Sequence, residues 1–471
     1  MKKRLSRWRA RISPNHLTAE KETSIKSPKA HSVAFLLVLL LGGCSGPRPE
    51  AKPRAEPQVK PTVTKDSARS GSLLEGAHRI VFLGDSITYS GQYIDDLSMV
   101  LLGIGEESHF EFLNLGLPSE TVSGLTEPGH ANGSFPRPDL HERLERLLDL
   151  TRPDLVIACY GMNDGIYYPF DPAKFEKFQQ GIRLLRERVE RAHARVILVT
   201  PPVFDPLPIR NRTLPAGLAE YRQPYEGYNY VLDRYSEWLL QQRTNGWIVI
   251  DIHFPMKDYL QQRRLKEPSF ALAADGVHLN DTGHWLVAQA IQHGLKVPVS
   301  SASAVIELKA GASAGIGETK EFRKHGGEVA FIWVTRPPMP LIGFKSTYFP
   351  PQGQAYSIIA HHGDFATYRL FAEDQLLATV SRQMLDSGFD MRQFNELITV
   401  KRGRQILELI HSRNRILSDA WLTLVGHKRP GMTKGLPVKQ AEIEATSLGE
   451  EIRELRRPVE VHLRLVPQAP E

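Results

Sequence analysis

A serine hydroxyl becomes an effective nucleophile only when a base can take its proton and a third group holds that base in place. The sequence contains these residue types at positions where they can cooperate. Ser86 lies in Gly84-Asp85-Ser86-Ile87-Thr88, directly after the apolar run Arg79-Ile80-Val81-Phe82-Leu83. A serine on a tight strand-to-helix turn is exposed at a sheet edge, within reach of a substrate. Far downstream stands Asp275-Gly276-Val277-His278. At this spacing carboxylate and imidazole can project to one side of a single turn, so that Asp275 holds one ring nitrogen of His278 and the other faces Ser86. Acyl transfer also needs donors for the charge that develops on the carbonyl oxygen. The backbone N–H of Ser86, an N–H from Asn114-Leu115-Gly116 and the side-chain amide of Asn163 in Gly161-Met162-Asn163-Asp164 are available. Together these residues could cleave an ester by nucleophilic attack, without a cofactor and without a metal.

Each residue also has a plainer reading. Ser86 could be a helix N-cap, Gly116 a turn glycine and Asn163 a residue that closes a turn. Asp85 and Asp164 read as local acceptors that fix their loops. Asp251 and His253 form a rival pair, because residues two apart share one face of a strand. His284 belongs to the final helix of this region. Other motifs fall short. Gly311-Ala312-Ser313-Ala314-Gly315-Ile316-Gly317-Glu318-Thr319-Lys320 lacks the Gly-Lys-Ser/Thr ending of a phosphate loop. His141-Glu142-Arg143-Leu144-Glu145 has Glu where a zinc-protease helix needs its second His. His361-His362-Gly363-Asp364 reads as a solvated loop. Gly426-His427-Lys428-Arg429-Pro430 reads as a positively charged helix end, with approach to the active site as the alternative.

The elements that must position these residues follow from hydrophobic patterning. Short apolar runs at 79–83, 110–115, 155–159, 196–199 and 247–252 read as buried strands. Between them Leu140, Leu144, Leu147 and Leu148 share one helical face, as do Phe175, Phe178, Ile182, Leu185 and Val189. A further helical segment, Val287–Leu295, follows Asn280-Asp281-Thr282-Gly283. Buried strands alternating with helices imply a parallel sheet covered on both faces. Such sheets bind ligands at the C-terminal ends of their strands. Residues 301–471 read differently, as short strands in a small antiparallel sheet, two helices near 394–425 and 438–455, and a closing strand near 459–466.

The four blocks, Gly84-Asp85-Ser86-Ile87-Thr88, Gly116, Gly161-Met162-Asn163-Asp164 and Asp275-Gly276-Val277-His278, occur in the order found in the SGNH (GDSL-type) hydrolase superfamily, and residues 75–297 resemble a member of it. The resemblance implies a flavodoxin-like three-layer α/β/α sandwich. It also implies Ser86 as nucleophile, Gly116 and Asn163 as oxyanion donors beside the Ser86 N–H, and Asp275 and His278 as the remaining catalytic pair of a carboxylic ester hydrolase. Family members act on lipids, thioesters, small esters and acetylated polysaccharides, so the fold does not choose among them. Two segments could wall the substrate site: 117–138, and 201–228 with Tyr221, Arg222, Tyr225 and Tyr228. Tyrosine and arginine suit a polar, ring-shaped ligand. The expected substrate is therefore acylated, chiefly acetylated, carbohydrate. The alternatives are a lysophospholipase or thioesterase, and a non-catalytic carbohydrate-binding module.

Composition bounds the rest. The chain has 471 residues, 59 Lys+Arg, 53 Asp+Glu and two cysteines. Residues 1–70 hold 15 of the basic and 5 of the acidic side chains, so the remainder is mildly acidic. A nucleic-acid partner is not expected of such a fold, which lacks a basic excess. Two cysteines make neither a disulfide framework nor a four-cysteine zinc site. The apolar run Val33–Leu41 is too short to span a bilayer and fits a secretory signal. It leads into Leu41-Gly42-Gly43-Cys44, which resembles a bacterial lipobox. The organisation expected is a lipoprotein-type signal over 1–44 with lipidation at Cys44, a disordered tether over 45–72, a hydrolase domain over 73–298 and an accessory α+β region over 299–471. The expected location is the bacterial cell envelope, held to a membrane through Cys44.

Overall fold

The computed structural model describes residues 71–104, 110–298, 302–313, 318–341, 356–427 and 434–468. Cys44 and the expected tether up to residue 70 lie outside the described residues, as do 314–317 of the glycine-rich stretch.

Five strands form one parallel sheet: β1 (Arg79–Gly84), β2 (Glu111–Asn114), β3 (Leu155–Cys159), β4 (Arg195–Val199) and β5 (Val249–Ile250). Their order is β2-β1-β3-β4-β5, the flavodoxin-like arrangement whose switch point lies between β1 and β3. After Arg79, every residue of β1 is buried, which is why the strand is a continuous apolar run rather than an alternating one. Around the sheet lie α1 (Ser86–Ser90), α2 (Gln92–Ile104), α3 (Leu144–Thr151), α4 (Pro172–Arg191), α5 (Tyr228–Gln241), α6 (His253–Lys266) and α7 (Asp281–Gly294). The three-layer α/β/α expectation holds. Several boundaries differ, two of them for a clear local reason. The fifth strand is only two residues long, because the Asp251 carboxylate accepts the His253 and Phe254 N–H groups at 3.0 and 3.3 Å and starts α6 at once. Leu140 sits in a separate 3₁₀ turn, Leu140–Glu142, which the Asp139 carboxylate opens through the His141 N–H.

The C-terminal region holds two sheets rather than one. β8 (Glu318–His325), β9 (Glu328–Thr335), β11 (Thr367–Ala372), β12 (Gln375–Ser381) and β14 (Val459–Gln468) make an antiparallel sheet in the order β12-β11-β14-β9-β8. β6 (Ala304–Glu307), β7 (Ala312–Ser313), β10 (Ser357–His361) and β13 (Phe389–Asp390) make a mixed one, in which β6 and β10 run parallel. Phe331, Trp333, Ile358, Leu370 and Leu463 fill the core they share. A short α8 (Arg382–Ser387) precedes the long α9 (Ile398–Val425) and α10 (Val438–Leu455). The start of α9 joins the strand core through Val400. From Ile406 on, it belongs with Ala441, Ala445 and Ile452 of α10 to the apolar cluster of the parallel-sheet domain. Among the described residues no helix is long and apolar enough to cross a membrane.

Candidate active site

β1 delivers Ser86 through a turn that only glycine permits. A Cβ on Gly84 would lie 2.2 Å from Thr88 Oγ1 and 2.8 Å from the Cys159 carbonyl. The N-cap of α1 is Asp85, whose Oδ1 accepts the Ile87 N–H at 2.9 Å. Ser86 is therefore the first helical residue and not the cap, so its N–H has no acceptor within the helix.

Ser86 Oγ is 2.8 Å from His278 Nε2, and His278 Nδ1 is 2.6 Å from Asp275 Oδ2. The other Asp275 oxygen accepts the Val277 and His278 N–H groups at 3.0 and 2.8 Å. This local turn explains the three-residue spacing, since it locks the carboxylate facing its own imidazole. Partial burial works to raise the Asp275 pKa, but the hydrogen bonds from His278 and the two N–H groups outweigh it and hold the carboxyl below its usual range. An ionised carboxylate only accepts, so Nδ1 carries the proton and Nε2 presents its lone pair to Ser86. The loop is anchored from below: the Asp205 N–H donates to the Gly276 carbonyl at 2.8 Å, and Arg264 holds the buried Asp205 carboxylate at 2.6 Å. The Asp275 and His278 side chains are 51% and 55% exposed, so the site is open to solvent.

Gly116 lies where the chain leaves β2. A Cβ there would stand 2.6 Å from the Tyr89 nitrogen and 2.8 Å from the Thr88 side chain. The close passage of α1 thus accounts for the residue type. Its N–H donates to Asn114 Oδ1 at 3.1 Å; one N–H can serve two acceptors in a three-centre bond. Asn163 is buried, with its Nδ2 3.3 Å from the Glu120 carbonyl and its Oδ1 accepting the Tyr167 hydroxyl at 3.1 Å. Ile166 and Tyr167 both have left-handed backbones, φ 47° and 59°. For a β-branched residue that is a real strain, of the kind stored at functional sites. Arg137, bound to Glu127 at 2.6 and 2.7 Å, places its guanidinium 5.5 Å from the centre of the Tyr167 ring. Tyr167 carries no motif signal, because its place beside Asn163 depends on backbone torsions that spacing does not reveal. In Tyr167→Phe the Asn163 amide loses one of its two anchors. We expect kcat to fall roughly 2- to 12-fold, the equivalent of one hydrogen bond, with KM unchanged in steady-state assays.

The acidic neighbours act as loop fixers. Asp164 Oδ1 accepts the Val122 and Ser123 N–H groups, each at 2.8 Å, and ties the exit of β3 to the segment after β2. Burial pushes the pKa of Asp85 up to about 7 and that of Asp164 to about 6, against opposing backbone hydrogen bonds. The rival pair does not form. The His253 ring is fully buried and pairs with Asp233 at 2.8 Å, while the Asp251 carboxylate accepts the first two N–H groups of α6. His284 lies in α7, 3.3 Å from Ser90 Oγ, with its pKa lowered to about 4 by burial. His361 and His362 pair separately with Asp386 and Glu307. Among the described residues no group of His, Cys, Asp and Glu is arranged to hold a metal ion. His427 does not merely close a helix: its Nε2 lies 3.4 Å from the buried Glu120 carboxylate.

A parallel sheet that carries a serine, an imidazole and a carboxylate in one hydrogen-bonded chain at the C-terminal ends of its strands has the architecture of an α/β ester hydrolase. Residues 82–286 match the model of the GDSL-like Lipase/Acylhydrolase family. Among solved structures the chain is similar to a gut microbial diltiazem-metabolizing enzyme, at 18% identity and a TM-score of 0.64, over 83% of this chain and 98% of that one. It also matches an acetylxylan esterase from Geobacillus stearothermophilus, at 21% identity and a TM-score of 0.32, over 46% of this chain and 94% of that one. A catalytic mutant of that esterase matches at 21% identity and a TM-score of 0.34, with the same shares covered. At these identities the likeness concerns the fold alone. The first match is too extensive to be confined to the parallel-sheet domain, so the likeness reaches into the C-terminal region. No curated protein matches the chain in sequence.

Proposed function

We propose that the protein is a serine esterase that removes short acyl groups, acetyl foremost, from carbohydrate. The observation that carries this reading is the chain Asp275–His278–Ser86, with links of 2.6 and 2.8 Å. Ser86 Oγ attacks the ester carbonyl while His278 Nε2 takes its proton, and Asp275 holds the imidazolium that forms. The tetrahedral oxyanion accepts hydrogen bonds from the Ser86 N–H and the Asn163 amide, with the Gly116 N–H shared between the oxyanion and Asn114. His278 then protonates the departing alcohol. Water, activated by the same imidazole, releases the acid and restores Ser86. No step calls on a cofactor.

The short-acyl, carbohydrate assignment rests on the openness of the site and on its tyrosine flank. Half-exposed Asp275 and His278 suit an alcohol that is large and external to the protein. Tyr168, Tyr221 and Tyr225 stand in sequence, with ring centroids 5.0 and 6.2 Å apart. The Tyr225 N–H bonds to the Tyr167 carbonyl at 2.9 Å, which brings this flank beside Asn163. Tyr221 is buried, with its hydroxyl donated to the Pro215 carbonyl, so half-buried Tyr168 and Tyr225 are the faces of this flank left to stack on a sugar ring. Lipidation at Cys44, followed by a tether, would hold the enzyme at the cell envelope where acylated polysaccharide is met. The test compares p-nitrophenyl acetate, butyrate and octanoate, and then acetate release from acetylated xylo-oligosaccharide. The expected order is acetate over butyrate over octanoate, with acetate released from the sugar. A preference for octanoate would replace this reading with a lysophospholipase or thioesterase one.

A further inference from the structure

No described residue of the C-terminal region takes part in the chemistry above, yet α9 braces the site from behind. Ser418 on α9, 2% exposed, donates its hydroxyl to the Asn114 carbonyl at 2.7 Å. Asn114 is the residue whose side chain accepts the Gly116 N–H and donates to the Thr88 carbonyl at 2.7 Å in α1. One turn earlier, Arg415 donates to the Tyr89 hydroxyl at 2.7 Å and lies 4.7 Å from its ring centre. His411 and Asn414 hold Asp95 of α2 at 2.8 and 2.7 Å. Past the end of α9, Arg146 donates to the Gly426 carbonyl at 3.1 Å. His427 Nε2 then reaches the Asp139 carbonyl at 2.9 Å and the Glu120 carboxylate at 3.4 Å. The carbonyl of the same Glu120 accepts from the Asn163 amide.

We propose that α9 is a positioning element of the active site. Through Ser418 and Asn114 it sets Gly116, and through His427 and Glu120 it sets Asn163, so the two oxyanion donors beyond Ser86 are both held from the C-terminal region. This rests on the esterase reading above. Oxyanion stabilisation demands donors within a narrow distance range of the developing charge, and a shift of an ångström at a supporting residue is costly. The hydroxyl-to-carbonyl bond at Asn114 sits two residues from one donor. The Glu120 carboxylate and the carbonyl that meets Asn163 belong to one residue.

The test uses the full chain with Ser418→Ala and His427→Ala, and Ser418→Cys should Ser418→Ala fold poorly. Each is expected to lower kcat for p-nitrophenyl acetate about three- to tenfold, with KM within twofold and Tm nearly unchanged. Ser418→Ala should shift the Gly116 backbone amide resonance while the Asn163 side-chain amide stays in place, and His427→Ala should do the reverse. Unchanged kcat, a change in KM alone, or resonances that stay in place in both variants would overturn the proposal. The resonances decide the positioning even if the unaltered protein shows no Ser86-dependent turnover, a result that would instead count against the esterase reading.

Discussion

Ser86→Ala is expected to lower kcat for p-nitrophenyl acetate by a factor on the order of 10⁴ to 10⁶, the range spanned when single members of such a triad are removed. His278→Ala should cost about as much, and the double variant little more than either, because the two side chains act as one unit. The fold should survive. Ser86 is half-buried and makes one side-chain hydrogen bond, to His278. The helix it opens is capped by Asp85, whose bond to the Ile87 N–H is untouched. Equal Tm values beside that loss of rate would separate a catalytic from a structural role. A Ser86→Ala protein with undiminished turnover would move the chemistry elsewhere.

The largest stability effect is expected at Arg143, which pairs with Glu120, the residue whose carbonyl meets the Asn163 amide. Arg143 and Glu120 are both fully buried and form a two-pronged pair at 2.6 and 2.7 Å. The Tyr160 hydroxyl donates to the same carboxylate at 2.7 Å, and Arg143 also donates to the Leu115 carbonyl. Burial works to raise the Glu120 pKa, but Arg143, His427 and Tyr160 overcome it and hold the carboxyl below its usual value. Arg143→Ala leaves a buried carboxylate without its counter-ion, a change that costs about 3–5 kcal/mol. The pH dependence separates this from simple loss of packing. In the unaltered protein the lowered folded-state pKa contributes stability above the ordinary carboxylate range, lost only as pH falls through that lowered value. In the variant burial dominates, so the folded pKa rises above the unfolded one. The variant is then penalised as pH climbs past about 4 and relieved below it. The gap in Tm between the two proteins should be widest near neutral pH and should narrow toward pH 4. A gap that does not vary with pH would show that volume, not charge, sets the cost.

What was legible in the sequence was what local chemistry dictates. Ser86, Gly116 and Asn163 each follow the end of a buried strand, and a parallel sheet sends those ends to one edge. Asp275 and His278 could be paired because a carboxylate three residues before an imidazole folds back through its own turn. Tyr167 was not legible, since it meets Asn163 only through two consecutive left-handed residues. The fifth strand is shorter than its apolar run because the Asp251 carboxylate takes the first N–H groups of α6. The mixed sheet escaped notice because β7 and β13 are two residues long and β6 finds β10 only across a long stretch of chain. β8, with the sequence Glu-Thr-Lys-Glu-Phe-Arg-Lys-His, shows the charge of an exposed edge strand rather than the alternation of a half-buried one. The brace from α9 joins residues some three hundred positions apart, such as Ser418 and Asn114, and no periodicity announces such a contact.

The nucleophile role proposed for Ser86 is tested by labelling the full chain with a fluorophosphonate ester and locating the adduct by peptide mass spectrometry. The reagent captures a serine only when a base removes its proton and donors accept the phosphoryl oxygen. A single adduct is expected, on Ser86, lost in His278→Ala as well as in Ser86→Ala. An adduct on another serine, or labelling of Ser86 that persists unchanged without His278, would contradict it.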